Sequence, residues 1–320
     1  MKSIMDNIQW LHLEVTTRCN AWCPFCPRNV DGHTLLPGLD MEDLPVESLE
    51  QRIKQFPNLD GIQFCGIFGD PCAAKNIDEL LDCAFSFDNI KTVQIQTNGS
   101  LRKPEWYANL AERGKHLDML QVWFAIDGLE ETNHVYRQGT SWNKIMDNAS
   151  AFIKAGGNAL WQFIPFEHNK HQITEALRLS QDMGFAKFQL LESDRPKRGG
   201  KHYRTGKPLT IKPWYREGKE PPEGTVYWGN TYDERGEKYV NNFIENTFVN
   251  KSNCDHLTGA MGRPSVYLDA KNNLYPCCYL FWSNTSFENT HLDIQAEFDR
   301  KDYRKSCLSF CGSSNQNHDN

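Results

Sequence analysis

Strand-like and helix-like segments alternate along roughly the first 190 residues, and this alternation limits the possible folds more than any other feature. Six short segments rich in Val, Ile and Phe, each bounded by turn residues, predict strands. They are Trp10–Thr16, Gly61–Ile67, Lys91–Thr97, Met119–Ile126, Ala159–Ile164 and Ala186–Leu191. Five segments between them repeat apolar residues every three or four positions, which predicts helices. They are Val46–Phe56, Ile77–Phe87, Pro104–Arg113, Ser141–Ala155 and His171–Met183.

This alternation predicts an α/β fold, in which a parallel sheet is covered by helices on its outer face. Six strand–helix units are fewer than the eight of a closed barrel, so we expect a partial (β/α)6 TIM-like barrel. Active sites in such sheets lie at the carboxyl ends of the strands. Side chains just after each predicted strand are therefore the candidates for function.

Composition and charge narrow the class of protein. Hydrophobic residues make up 39% and charged residues 24% of the 320 residues, which suits a globular chain with a buried core. A net charge of −6 does not by itself indicate a nucleic-acid-binding protein. No apolar run approaches the roughly 18 residues that span a bilayer, and the polar start MKSIMDNIQW does not resemble a signal peptide. We therefore expect a cytoplasmic protein with no membrane partner.

The eleven cysteines are clustered along the chain. Three lie near the start, and five lie near the end. The clusters are Cys19, Cys23 and Cys26, and then Cys254, Cys277, Cys278, Cys307 and Cys311. Disulfides rarely persist in a reducing compartment, and the odd total argues against a fully paired framework. Clustered cysteines in such a protein indicate metal or redox chemistry.

The first cluster reads C-x3-C-x2-C and directly follows the first predicted strand. Cysteine thiolates hold [4Fe–4S] clusters, and three protein thiolates leave one iron open for another ligand. Zinc is the alternative, but a structural zinc site usually has four ligands. His12 and His33 are the nearby histidines, and neither has the spacing of a paired motif.

This motif, with aromatic Phe25 before its third cysteine, resembles the signature of the radical S-adenosylmethionine (SAM) superfamily. The resemblance implies that SAM binds the open iron through its amino and carboxylate groups. It also implies that electron transfer from the reduced cluster cleaves SAM to a 5′-deoxyadenosyl radical, which abstracts hydrogen from a substrate.

Further motifs of the same family follow the second, third and fourth predicted strands. The segment at 68–71 resembles Gly-Gly-Glu-Pro, but Phe68 replaces the first Gly and Asp70 replaces Glu. Later segments resemble Thr-Asn-Gly and an Asp-Gly that is followed by Arg-Gly. The resemblance implies SAM contacts by Phe25, Gly69, Asp70, Pro71, Thr97, Asn98, Asp127 and Arg137. Turn chemistry and surface ion pairing are the alternatives for these residues taken singly.

The second cluster resembles the Twitch and SPASM domains, which bind auxiliary [4Fe–4S] clusters. A hairpin of Ser265–Asp269 with Leu274–Cys277 is predicted between its cysteines, with Asn272 at the position of the family's Gly, and a helix is predicted near Leu292–Arg304. The resemblance implies one auxiliary cluster held by Cys254, Cys277, Cys307 and Cys311, with Cys278 as the alternative to Cys277. A zinc ribbon remains the other interpretation.

We therefore divide the chain into three parts. Residues 1–194 form the core barrel, residues 195–250 form a basic and aromatic insert or linker, and residues 251–320 form a small α+β auxiliary-cluster domain. Nine Lys or Arg residues and one acid lie between Arg195 and Lys219. This segment either grips an anionic substrate or is a solvated loop between domains.

The leading function is that of a radical SAM oxidoreductase or maturase, acting on a peptide or a small molecule that could be anionic. An electron donor such as flavodoxin or ferredoxin would reduce the first cluster, and the second could accept an electron from the substrate. One alternative is radical modification of a nucleotide or RNA, which only the basic segment supports. The other is a regulatory module without enzymatic activity that binds zinc or a cluster.

Overall fold

The structure is a computed structural model, and it describes residues 4–191, 200–212, 225–228 and 263–275. Nine strands of the described residues form one sheet in the order β11-β10-β1-β2-β3-β4-β5-β6-β9. Its strands are β1 Trp10–Leu13, β2 Gly61–Phe64, β3 Thr92–Thr97, β4 Met119–Ala125, β5 Asn158–Phe163, β6 Lys187–Leu191, β9 Thr225–Trp228, β10 Ser265–Leu268 and β11 Leu274–Tyr275. All neighbours are parallel except β10 and β11. A separate hairpin pairs β7 Gly200–Lys201 with β8 Pro208–Leu209.

Helices connect the parallel strands. They are α1 Val46–Gln55, α2 Ile77–Phe85, α3 Pro104–Arg113, α4 Asn133–Tyr136, α5 Trp142–Lys154 and α6 Ile173–Met183. Short 3-10 segments lie at Ile4–Asn7, Pro71–Ala73 and Lys170–Gln172. In α5, Ile145, Ala149 and Phe152 are buried at intervals of three and four residues, so one stripe of the helix faces the sheet.

The two faces of the sheet differ in polarity. Alternate residues of each strand, such as Val93 and Ile95 in β3, are fully buried and pack in the main hydrophobic core beneath the helices. The residues between them, such as Gln94 and Gln96, are half-buried and lie on the inner face of the barrel. The core of the protein therefore lies on one side of the sheet, between strands and helices.

The six predicted strands and five predicted helices are confirmed, with ends that differ by a few residues. Strand β1 stops at Leu13 because the chain turns away to pair elsewhere: Thr16 forms an isolated bridge with Asp43, and Leu44 N donates to Val15 O at 2.8 Å. The short helix α4 and the strand β9 were not predicted. The predicted hairpin is confirmed as β10 and β11, and Asn272 in its turn has the expected positive φ of 64°.

The hairpin also joins the main sheet, because β10 lies parallel to β1. Arg52 of α1 fixes its turn by donating to Asn272 Oδ1 at 3.0 Å and to Asn272 O at 2.8 Å. Residues 263–275 are thereby built into one edge of the barrel. Among the described helices, none combines the length and the hydropathy that crossing a membrane requires.

Candidate active site

The carboxyl ends of β1 to β4 meet at one edge of the sheet, because these strands are parallel and in register. The cysteine motif follows β1, the Phe68–Pro71 loop follows β2, Asn98 follows β3 and Asp127 follows β4. The structure therefore brings together the segments that the sequence singled out along the first 140 or so residues, as the strand–helix pattern requires.

The three cysteines of the first motif contact polar groups from three other segments. Asn98 Nδ2 lies 3.8 Å from Cys19 Sγ, and Arg137 Nη1 lies 3.8 Å from Cys23 Sγ. Cys26 Sγ lies 4.0 Å from the carbonyl oxygen of Ile67. Two of the thiols thus have N–H donors directed at sulfur, and such donors stabilise a metal-bound thiolate.

Burial sets the protonation of these thiols. It raises the pKa of Cys23 to about 11, against the opposing effect of Arg137. Burial also raises the pKa of Cys19, and Asp70, Cys23 and Cys26 add to this effect, so the three sulfurs are close enough to interact. The thiols of Cys19 and Cys23 are therefore protonated when no metal is present, and binding iron would release their protons.

The donor set fits a [4Fe–4S] cluster in its chemistry. Within the described ranges, no three His, Cys, Asp or Glu side chains converge closely enough to hold a single metal ion. A cubane does not require its thiolates to converge on one point, because each of them binds a different iron. Three thiols in a mostly apolar environment, two of them with N–H donors, fit such a cluster.

An apolar cluster supports the cysteine loop. Phe25 is 6% exposed and its ring centroid lies 6.1 Å from that of Tyr136, which in turn lies 4.5 Å from Phe166. Cys23 belongs to this cluster, and Cys19 and Cys26 pack against it. Phe25, within the loop, is thus buried in this apolar cluster.

Asp70 connects three loops of the site. Its carboxylate accepts hydrogen bonds from Cys72 N at 3.0 Å, Thr97 Oγ1 at 2.9 Å, Asn98 N at 2.7 Å and Asn98 Nδ2 at 2.6 Å. Asn98 Nδ2 also donates to Asn20 Oδ1 at 2.9 Å, next to the first cysteine. Asp70 is 4% exposed, and its oxygens are taken up by this network. Its predicted contact with SAM therefore stays a prediction, whereas its role in joining the loops is visible.

Gly69 lies where only a glycine fits. A Cβ atom there would stand 1.8 Å from the carbonyl oxygen of Thr16, a backbone atom that cannot move aside cheaply. Asp70 N donates to Arg18 O at 2.8 Å beside this contact. Pro71 follows as the first residue of a short 3-10 helix that Asp70 caps. The loop after β2 is thereby packed directly on the chain that leads into the cysteine motif.

Asp127 and Arg137 form a buried ion pair at the end of β4. Arg137 Nε donates to Asp127 Oδ2 at 2.5 Å, and Ile164 N donates to the other oxygen, Oδ1, at 2.6 Å. Asp127 has no exposed surface, and the Arg137 side chain is 18% exposed. Burial alone would lower the pKa of Arg137, but the attraction of Asp127 and Cys23 outweighs it and raises the pKa. A permanently charged guanidinium therefore stands beside Cys23.

Glu14 is a residue of the site that sequence reasoning missed. It lies just past β1 and is 1% exposed. Its Oε1 accepts hydrogen bonds from Phe68 N at 2.6 Å and Gly69 N at 2.9 Å, and its Oε2 accepts one from the Tyr267 hydroxyl. Burial raises the pKa of Glu14 to about 7, although these hydrogen bonds oppose the rise. The signal available in the sequence was an acidic residue at the carboxyl end of the strand that precedes the cysteine motif.

The hairpin β7–β8 covers the outside of the cysteine loop. Lys201 pairs with Asp31 at 2.7 Å, and the ring of Tyr203 stacks on that of Trp22 with centroids 6.5 Å apart. A cleft of about 470 Å³ lies between this hairpin and α4, and His134, His202 and Arg204 are among its lining residues. The described part of the basic segment therefore packs on the site and does not extend freely into solvent.

The cysteines of the predicted auxiliary cluster lie outside the described residues. They are Cys254, Cys277, Cys278, Cys307 and Cys311. The predicted helix near Leu292–Arg304 and the basic residues Lys197 and Arg198 also lie outside them. These interpretations stay predictions. Of the remaining cysteines, Cys72 is a buried core residue at 2% exposure.

A family model described as the radical SAM superfamily matches residues 13–179, slightly more than half of the chain. The matched region contains the cysteine motif, Asp70, Asp127 and Arg137.

The chain belongs to the radical SAM superfamily.

Membership indicates an enzyme and implies a [4Fe–4S] cluster together with SAM.

Proteins of similar sequence and fold agree with this assignment. GTP 3′,8-cyclase of Syntrophomonas wolfei subsp. wolfei is 27% identical over 137 residues, which are 42% of this chain and 39% of that protein. The chain spans less than half the length of the curated relatives it matches. SuiB of Streptococcus suis, in a structure bound to S-adenosylmethionine, has a TM-score of 0.59 at 16% identity, covering 96% of this chain and 72% of SuiB.

The structure of anSMEcpe with bound AdoMet also has a TM-score of 0.59, at 17% identity, covering 94% of this chain and 84% of that one. At such identities the likeness to SuiB and anSMEcpe shows the fold alone. It agrees with the mostly parallel sheet and with the partial barrel that the sequence predicts.

Proposed function

We propose that this radical SAM enzyme abstracts hydrogen from a peptide or small molecule in an oxidation or maturation reaction. The observation that carries the proposal is the contact of Asn98 with Cys19 and of Arg137 with Cys23 at the carboxyl edge of the sheet, with Cys26 in the same loop. In this family the bound cluster and SAM together supply the 5′-deoxyadenosyl radical that abstracts the hydrogen atom.

The residues of the chain would hold and orient these groups. The three thiolates would hold three irons, and Asn98 and Arg137 would donate to sulfur. A guanidinium also suits a carboxylate through paired donors, so Arg137, fixed by Asp127, is our candidate for the SAM carboxylate. Asp70 would keep Thr97 and Asn98 in place through the hydrogen bonds it accepts.

The β7–β8 hairpin covers one side of this edge. The Tyr203–Trp22 stack and the Lys201–Asp31 ion pair hold it over the outside of the cysteine loop. Such cover suits radical chemistry, because water-filled sites permit side reactions. Phe25 and Tyr136 supply the apolar floor of the loop.

A peptide substrate has support from proteins of similar fold. One structure of SuiB is bound to the precursor peptide SuiA, and one of anSMEcpe holds the Cp18Cys peptide. A nucleotide substrate has a relative in GTP 3′,8-cyclase, which is similar over 42% of this chain. We favour the peptide or small molecule because two of these structures of similar fold hold peptides and because Lys201, one of the described basic residues, is already paired with Asp31.

We further propose a Twitch-like auxiliary [4Fe–4S] cluster in residues 251–320, held by Cys254, Cys277 or Cys278, Cys307 and Cys311. Four thiolates would close its coordination, so it would serve electron transfer in an oxidation and would not bind substrate. A protein with both clusters carries about eight irons. Replacing Cys307 and Cys311 with Ala should remove about four irons and abolish product while SAM cleavage survives. Loss of SAM cleavage together with product would favour a structural role.

The test of the main proposal is the release of 5′-deoxyadenosine by anaerobically reconstituted and reduced protein. We expect release from the wild type and none when Cys19, Cys23 and Cys26 are replaced with Ala. The matched control is Cys83→Ala, a half-buried cysteine of α2, which should release it at the wild-type rate. Reduced wild type that carries iron and sulfide but cleaves no SAM contradicts the proposal. A flavodoxin or ferredoxin as the electron donor, and a cytoplasmic location, stay predictions.

A further inference from the structure

Glutamines line the inner face of the barrel. Each of the strands β2 to β6 has at least one on this face, and the six are Gln63, Gln94, Gln96, Gln121, Gln162 and Gln189. The lumen of a closed (β/α)8 barrel is instead filled with branched apolar side chains. The inner face of this partial barrel is thus a hydrogen-bonding surface, and only Gln189 of the six is fully buried.

The glutamines form a ladder of amide groups. Gln94 Nε2 donates to Gln121 Oε1 at 3.0 Å, and Gln162 Nε2 donates to Gln189 Oε1 at 3.2 Å. Cys65, the residue after β2, donates through Sγ to Gln96 Oε1 at 3.0 Å. A carboxamide has two N–H donors and two acceptor lone pairs. Gln121 Oε1 also accepts from Trp123 Nε1 at 3.2 Å, but Gln96 and Gln162 each use only part of this capacity in these contacts.

This face is nearly free of charge. Lys187 is the one charged residue within β2 to β6, and it is exposed at the opposite, amino-terminal end of β6. The nearby carboxyl of Glu14 is covered by Phe68, Gly69 and Tyr267. A phosphate has only acceptor oxygens and would be left without a counter-charge here, which is costly. An amide offers both a donor and an acceptor, as the ladder does.

The upper glutamines adjoin the candidate active site. Gln96 directly precedes Thr97, whose hydroxyl donates to Asp70. Gln162 lies two residues before Ile164, whose N–H donates to Asp127 at 2.6 Å. On β4, between these two strands, Trp123 lies opposite Gln96 and Ala125 lies opposite Gln162 in the register, so an indole and a methyl group adjoin the two amides. A group bound there would lie next to the residues proposed to hold SAM.

We propose that Gln96 and Gln162 bind an uncharged amide of the substrate, either a peptide group or a side-chain carboxamide. This proposal rests on the radical SAM function proposed above and adds the chemistry by which the substrate is recognised. Amide–amide pairing explains why five neighbouring strands present the same side chain toward one lumen. It also favours a peptide over a nucleotide.

The test uses reconstituted, reduced full-length protein with SAM and three pools of probes. Two pools contain uncharged peptides that are acetylated and amidated at their ends, one with Asn and Gln and one without. The third contains nucleoside triphosphates. The readout is 5′-deoxyadenosine release relative to the rate of the same protein without a probe. We expect about tenfold stimulation by peptides and none by nucleotides. Stimulation by both peptide pools indicates a peptide group, and stimulation by the first alone indicates a carboxamide.

Variants separate recognition from folding. Gln96→Leu and Gln162→Leu should each raise the half-saturating peptide concentration about tenfold, since each removes a hydrogen bond to a neutral partner. Gln51→Leu, an exposed position on α1, should leave it unchanged. Stimulation by nucleotides alone, by no pool, or by peptides equally in all variants overturns the proposal. A wild type that releases no 5′-deoxyadenosine in any reaction contradicts the proposed function itself, and the proposal on amides falls with it.

Discussion

The Tyr267 hydroxyl donates a hydrogen bond to Oε2 of Glu14, and this contact joins β10 to the loop that carries Asp70. The other oxygen of the same carboxyl receives the N–H groups of Phe68 and Gly69. One buried side chain therefore links the first strand, the loop after the second strand and a strand from the last quarter of the chain. Glu14 acts on the site by positioning this loop and has no described contact with the cysteines.

Glu14 should make stability depend on pH. Burial raises its pKa to about 7, above the value of about 4.3 expected in the unfolded chain. The folded state then binds more protons between these values, so the free energy of unfolding falls as the pH rises from about 4.3 to 7. The shift corresponds to roughly 4 kcal/mol.

Glu14→Gln has no ionisable carboxyl at this position, so its free energy of unfolding should not show this fall with rising pH. We expect the denaturation midpoint of the wild type to fall relative to that of Glu14→Gln as the pH rises from 5 to 7.5. Tyr267→Phe keeps the carboxyl and provides the comparison for the lost hydroxyl. A difference that is independent of pH would contradict the titration of Glu14 in this range.

Breaking the Asp127–Arg137 pair should be costly. Asp127→Asn leaves a buried guanidinium without its charged partner, which typically costs about 3–5 kcal/mol. Asp182→Asn breaks the exposed Arg178–Asp182 pair and should cost less than about 1 kcal/mol. Denaturant unfolding of both variants measures the two costs. Equal effects would show that the buried pair has no special role in stability.

Asp70→Asn should weaken SAM binding by about tenfold or more while the iron content is retained. The amide would place an NH2 group against the N–H donors of Asn98, which leaves a buried polar contact unsatisfied. Asp70→Glu restores the residue usual in the family, but its extra methylene must fit an enclosed network, so we expect weaker binding as well. Equilibrium dialysis with labelled SAM measures both. Tighter binding by Asp70→Glu would contradict the structure.

Gly69→Ala should disrupt the loop after β2. Its Cβ would stand 1.8 Å from Thr16 O, so the loop or the strand end must shift. Gly38→Ala is the matched control, because nothing lies within 4 Å of that Cβ and its φ of +79° costs only about 1–2 kcal/mol. Of the two variants, we expect only Gly69→Ala to lose SAM binding. Wild-type binding by Gly69→Ala would show that this close approach is not needed.

The sequence was sufficient to predict the repeating part of the fold. Strands β1 to β6 and their helices have strong local patterns, and parallel pairing then places Cys19, Asp70 and Asp127 at one edge by geometry alone. The hairpin at Asn272 was predicted because Asn tolerates the left-handed turn. Its pairing with β1 was not, because no local pattern states which distant strand lies beside an edge.

The residues that sequence reasoning missed depend on contacts between distant segments. Glu14 is separated from Tyr267 by 253 positions, so only the fold reveals that its carboxyl is buried. The hydrogen bonds that the Asp70 carboxylate accepts from Thr97 and Asn98 likewise form only because the fold brings the loops after β2 and β3 together. Helix α4 has four residues, which is too short for a periodic pattern to be recognised.

The central claim is that three thiolates leave one iron open for SAM. Its most direct test is electron–nuclear double resonance on the reduced protein with SAM labelled with 15N in the amino group and 17O in the carboxylate. We expect hyperfine coupling of both nuclei to the cluster in wild type and in Cys83→Ala, and none in Cys19→Ala. A reduced [4Fe–4S] cluster in wild type that shows no coupling to either label would contradict the claim.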